Sequence, residues 1–201
     1  MTNHPHRQIW AIAGPSILAN SSAPLVGLVD TWAIGHLPGA VHLAAVGLGS
    51  VIFNYLLWAF GFLRMGTTGM IAQAKGRDDV PDQVVNVVRS SALAVFFGVL
   101  LFMFQEAILL VSLKAMAPPA DVAAVTSEYF HIRIWAAPFT LLGYAITGVL
   151  FGLARVRTIL WLQLFLNIIN AVLNVTFVVR LGLGVPGVAW GTLIAQVLTA
   201  A

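Results

Sequence analysis

The 201-residue sequence contains no cysteine. It therefore forms no disulfide and no thiolate metal site, and its redox compartment leaves no trace in the composition. Charge is also scarce: 10 Lys and Arg and 7 Asp and Glu make 8% of the chain charged, against 60% hydrophobic. Ordinary soluble domains are about 25% charged and about 45–50% apolar. A chain this poor in charge cannot cover a water-facing surface, and its mean hydropathy of +0.94 assigns it to a lipid bilayer. The net charge of +3 comes from basic residues in loops near the ends of apolar runs, so membrane topology accounts for it and no nucleic-acid partner is implied. There is no Walker-type phosphate loop, no G-x-S-x-G elbow and no evident nucleophile–base pair. His4, His6, His36, His42 and His131 lack metal-ligand spacing with acids. These absences point away from an enzyme and from a bound metal or organic cofactor.

What the sequence has is long apolar runs. A spanning helix needs about 20 largely apolar residues, and the chain offers five complete runs and a shorter sixth: 9–34, 41–74, 84–113, 122–152, 158–181 and 186–201. The breaks GHLPGAVH, KGRDDVPDQ, KAMAPPAD, GLARVRT and RLGLGVPG carry the glycine, proline or charge of a helix boundary. The runs are unbroken rather than alternating over about ten residues, which excludes barrel strands. The expected fold is all-α: a polytopic bundle of six transmembrane helices preceded by a polar tail at residues 1–8. The tail has no small-residue cleavage site after a short apolar core, so the first run reads as a retained helix. With the N-terminus inside, the inner segments hold Arg7, Lys75, Arg77, Arg89, Arg155 and Arg157, and the outer ones only Lys114 and Arg180. Six against two predicts a cytoplasmic N-terminus in a plasma (inner) membrane. The sixth run is 16 residues, about 24 Å as helix against a core of about 30 Å. It has no polar flank, so the chain reads as a fragment.

The polar residues inside these runs are the candidate machinery. Asp30 stands in a first run with no other acid or base. A charged group at the centre of a bilayer costs about 2.5–3.5 kcal/mol on insertion scales, which makes an intramembrane acid a functional candidate for proton or ion handling. Gln163, Asn167, Asn170 and Asn174 follow at spacings of four, three and four, so they share one helical face. Counting depth along the runs brings Asp30, Asn170, Asn174 and Thr192 to one level, where they could hold a proton relay or a small cation on oxygen ligands. The alternative for the amides is interhelical hydrogen bonding alone, the better reading for Gln163 and Asn167. Glu106 and Arg133 also lie at nearly equal depth and are expected to pair, with a structural or gating role. Arg64 reads as interfacial snorkelling beside glycine packing. Pro15 and Pro24 interrupt the first helix, and their kinks either shape packing or allow bending.

The segments AGPSILANSSAPLVGLVDTWAIGHL, AAVGLGSVIFN and FGFLRMGTTGMIAQAKGR resemble the opening of multidrug and toxic compound extrusion (MATE) transporters, in their DinF-like branch. The resemblance runs from about Ile9 to the end and is strongest over the first two runs. It implies a twelve-helix protein whose two six-helix lobes face a central cavity and export cationic or amphipathic drugs by alternating access. Inward flow of H+ or Na+ drives that export, and this chain would supply the N-terminal lobe, needing the missing C-terminal lobe as its partner. By the same resemblance Asp30, in its VDT context, matches the coupling acid, and Pro15 the proline tied to protonation-dependent bending. Asn170 matches a fifth-helix amide and Thr192 a sixth-helix threonine. Asn174 departs from the pattern, since related members often carry a second acid there. With one formal charge fewer, proton coupling through Asp30 is the more economical expectation than sodium coupling. A truncated, non-transporting membrane subunit is the reading from another class.

Overall fold

The computed structural model describes residues 13, 14, 17, 28, 31–35 and 39–200. Asp30, Pro15 and Pro24 lie outside the described residues. Residues 31–34 are helical, and Ala33 and Ile34 are buried in the core. Eight α-helices follow among the described residues: α1 Ala40–Trp58, α2 Gly61–Gly76, α3 Val80–Met103, α4 Gln105–Met116, α5 Ala120–Arg133, α6 Ala137–Gly152, α7 Val156–Asn174 and α8 Gly184–Ala200. No strand occurs among them. Among the described residues, four helical stretches are long and apolar enough to cross a membrane: Ala40–Gly76, Val80–Met103, Ala120–Gly152 and Val156–Arg180, with Gly184–Ala200 a shorter apolar helix.

The long apolar runs are subdivided. At Ala59–Phe60 the chain makes a turn between α1 and α2, with Phe60 N–H bonded to Leu57 O at 3.0 Å and Leu63 N–H to Phe60 O at 3.0 Å. Gly61 follows, a weak helix former, where a break costs little. A second interruption falls at Phe104, between α3 and α4. A third is the 3₁₀ turn Ile134–Ala136 between α5 and α6. Pro138 sits in the first turn of α6, where its missing N–H has no helical partner to lose. The fourth is a π turn, Val175–Arg180, which continues α7. Between helices the capping is local. Asp79 accepts the Asp82 N–H at 3.0 Å, and Arg77 pairs with the Asp82 carboxylate at 2.6 Å.

α6 packs against α2 and α3, α5 against α1 and α8, and α7 against α8. Small residues permit the closest approaches, as membrane packing favours. A Cβ on Gly148 would stand 2.7 Å from Arg64 O, and one on Gly152 would stand 2.7 Å from the Ile71 side chain. The α2–α6 seam therefore closes only with glycine at both positions, one turn apart. Thr68 adds a hydroxyl bond to Gly148 O at 3.2 Å, and Lys75 Nζ donates to Leu153 O at 2.8 Å where the two helices end together. In the core, Phe53 of α1 stacks on Phe130 of α5 at 5.1 Å and meets Tyr129 edge-on.

Candidate functional site

The amide stripe on α7 divides into two parts. Gln163 Nε2 donates to Asn167 Oδ1 at 3.1 Å, along the half-buried lower half of the stripe. One turn further on, Asn174 Nδ2 donates to Asn170 Oδ1 at 3.1 Å, and Asn170 Nδ2 donates to Thr192 Oγ1 of α8 at 3.1 Å. Asn174, Asn170 and Thr192 are only 0%, 2% and 7% exposed. The structure thus knits the three into one buried chain of hydrogen bonds running from α7 to α8. Buried polar groups are costly unless paired, and here Asn174 Nδ2 and Asn170 Nδ2 each find an uncharged acceptor within the cluster.

Two local features seat this cluster. Gly191 lies against Asn174: a Cβ there would overlap the amide oxygen and stand 3.1 Å from Asn174 Cγ. The π turn begins immediately after Asn174. A π turn breaks the regular i→i−4 ladder and recurs at functional sites in other helices. Neither was visible in the hydropathy of the run, although Gly191 preceding Thr192 was there to be read as a place of close approach. Chemically, the cluster offers amide N–H and hydroxyl O–H donors that can orient a carboxylate, and amide and hydroxyl oxygens that can coordinate a small cation. Groups of three or more His, Asp and Glu residues suited to a metal ion do not occur among the described residues.

Glu106 and Arg133 do not pair. Glu106 Oε1 meets His131 Nε2 at 2.8 Å, with both side chains well exposed. Arg133 turns inward. Its Nη1 donates to the Tyr129 hydroxyl, and its guanidinium lies 5.0 Å from the Phe53 ring centre and 5.5 Å from that of Tyr129. The aromatic faces that α1 and α5 place together hold the cation more closely than a distant carboxylate could, an attraction of about 0.5–2 kcal/mol. Arg133 also lines a cavity of about 30 Å³ with Thr192, Thr140 and Gln196, large enough for a water molecule.

Thr140 and Gln196 line a second, larger cavity as well. It measures about 140 Å³ and is bounded by Arg64 of α2, Tyr144 and Thr147 of α6, Gln163 of α7 and Thr199 of α8. Polar linings thus run from Arg133, past Thr192, to Arg64. Arg64, expected to snorkel beside close glycine packing, does pack its backbone on Gly148. It stands twelve residues before the end of α2 at Gly76, about 18 Å of helix. Arg64 is a cavity residue because α6, α7 and α8 converge opposite it, and hydropathy along α2 carries no sign of that convergence.

Comparison with known proteins gives a consistent kinship. Residues 15–176 match the family model described as MatE. DNA damage-inducible protein F of Escherichia coli (strain K12) is 34% identical over 193 residues, covering 96% of this chain and 42% of that protein. The chloroplastic protein DETOXIFICATION 44 of Arabidopsis thaliana is 27% identical, with 96% and 39% covered. Among solved structures, the outward-facing conformation of a multidrug resistance MATE family transporter of the MOP superfamily superposes with a TM-score of 0.87 at 26% identity, covering 96% of this chain and 42% of that one. A MOP superfamily transporter from Pyrococcus furiosus superposes with a TM-score of 0.87 at 25% identity over the same shares. The chain spans about two fifths of the length of these relatives.

Proposed function

The chain belongs to the MatE family of membrane transporters, and from that premise we propose that it forms one lobe of a proton-coupled antiporter exporting amphipathic or cationic organic compounds. Its six-helix portion works against a second lobe, in the same polypeptide or as a partner, and the two alternate access to a cavity between them. The lobe sits in the plasma (inner) membrane as a multi-pass protein with its N-terminus cytoplasmic, on the strength of the basic residues in its inner loops.

The observation that carries this reading is the buried Asn174–Asn170–Thr192 chain, which begins where α7 gives way to the π turn. In the proposed cycle Asp30 takes a proton from the outer side. Charged, it accepts hydrogen bonds from amide and hydroxyl donors at its own depth; neutral, it holds them less tightly. The loss of those bonds lets the first helix bend at Pro15 and re-expose the cavity. Asp30 is the one formal charge of this set, because Asn174 stands where related members often carry a second acid; a desolvated sodium ion would be less well compensated there, so proton coupling fits better than sodium coupling.

The test is efflux of a fluorescent cation, such as ethidium, from cells or vesicles carrying the complete transporter. Asp30→Asn should abolish efflux driven by a pH gradient while leaving the protein in the membrane. Undiminished pH-driven efflux by this variant would sink the proposal. Removing sodium at a constant proton gradient should change nothing; loss of efflux there would transfer the coupling to sodium.

A further inference from the structure

Arg64 borders two cavities. The first is the polar one of about 140 Å³ described above. The second, of about 410 Å³, is lined by Trp58, Gly61, Phe62 and Met65 together with Arg64 and Tyr144. It opens at the α1–α2 break, where Gly61 leaves space that a side chain would fill. Trp58, Phe62 and Met65 are exposed there despite their size. Among the described residues neither lining contains an aspartate or glutamate, and Arg64 is the charged group of both.

The contrast with other arginines is informative. Arg133 is held by Tyr129 and Phe53, and Arg77 by Asp82. Among the described residues Arg64 forms no ion pair, and its guanidinium donates no hydrogen bond. A guanidinium presents a planar fork of donors matched to carboxylate, sulfonate and phosphate oxygens. The Tyr144 hydroxyl and the Gln196 amide of the same lining are further donors, whereas the Thr140 and Thr199 hydroxyls already donate to Ala136 O and Ala195 O. A cation would meet uncompensated positive charge here, and a neutral solute would leave the guanidinium without a counter-charge.

We propose that the two cavities around Arg64 form a binding site for an amphipathic organic anion, with its anionic head at Arg64 and Tyr144 and its apolar tail along Trp58, Phe62 and Met65. The first cavity shares Thr140 and Gln196 with the small cavity at Thr192, but neither Asn170 nor Thr192 lines the proposed site, and its occupancy does not depend on proton coupling. The same head chemistry belongs to soluble organic anions and to anionic lipids, and the test separates these sources.

The chain, held in a neutral maltoside detergent, is exposed to decyl phosphate, to dioleoyl phosphatidylglycerol and to decyltrimethylammonium, and bound adducts are counted by native mass spectrometry. One saturable decyl phosphate adduct is expected, weakened roughly 10–100-fold by Arg64→Gln, as loss of a charge-assisted contact implies. Tyr144→Phe should weaken it several-fold and provides the check if the arginine variant folds poorly. Phosphatidylglycerol binding with the same Arg64 dependence, without decyl phosphate binding, would assign the site to lipid. Equal binding of decyltrimethylammonium, no anion adduct, or anion affinity unchanged in both variants overturns the proposal.

Discussion

Around Asn174 the described polar groups are buried and bonded to one another; around Arg64 a charge without an ion pair among the described residues faces a cavity. The two regions lie on neighbouring helices of one bundle yet meet opposite constraints. In the first, a tight fit between Gly191 and Asn174 leaves no room for a ligand without rearrangement. In the second, a break in the helix and a glycine without neighbours leave room already made. Polar groups that satisfy one another specify the packing of a bundle, and polar groups left facing a cavity are available to a solute. Substitutions should therefore separate the two: stability falls when the first is disturbed, and binding falls when the second is.

The largest effect is expected at Gly191. Gly191→Val places a branched side chain where the Asn174 amide sits and forces α7 from α8. Overpacking of this kind costs about 1–3 kcal/mol, and displacing a buried amide from its partners adds about 1–3 kcal/mol. The midpoint of thermal aggregation in detergent, followed by size-exclusion chromatography, should drop sharply for Gly191→Val and less for Gly191→Ala. An unchanged midpoint for the valine variant would remove the claim that Gly191 seats Asn174.

The next prediction sets the two regions side by side. Asn170→Ala strips Asn174 Nδ2 of its acceptor and Thr192 Oγ1 of its donor, both within the bundle. The cost is about 1–3 kcal/mol, the penalty for leaving buried polar groups unmatched. Arg64→Gln removes a group without an ion pair, so its effect on stability should stay within about 0.5 kcal/mol. Equal destabilisation by the two variants would mean that Arg64 is as structurally committed as Asn170, and the comparison would collapse.

The residues differ just as much in how far the sequence announces them. The all-helical bundle follows from hydropathy alone, because runs of this length have no other stable form in lipid. The amide stripe was legible for a similar reason: spacings of four, three and four can only share a face on a helix, and Asn170 and Asn174 prove to be one turn apart and bonded. Hydropathy is silent on the interruptions at Phe60 and Phe104 and on the π turn, since a broken ladder and an intact one use the same apolar residues. The cavity beside Arg64 was not legible because its lining comes from Tyr144, Gln163 and Gln196, which lie on three other helices. Arg133 was misplaced because matching depth selects a height in the membrane but not an azimuth. Phe53 and Tyr129 occupy the azimuth that matters.

That misplacement supplies the smallest expected effect and the sharpest control. Glu106 bonds His131 rather than Arg133, with side chains 75% and 42% exposed, so water competes for both partners. Exposed pairs of this kind contribute about 0–1 kcal/mol. Glu106→Gln keeps an acceptor oxygen and removes only the charge, so it should move the thermal midpoint less than either Asn170→Ala or Gly191→Val. Arg133→Gln, which loses the Tyr129 hydroxyl and the Phe53 face, should move it more than Glu106→Gln. If Glu106 and Arg133 were partners after all, the double variant would be no worse than either single one. With separate partners, the two losses should add to within about 0.3–0.5 kcal/mol, the usual tolerance for independent sites.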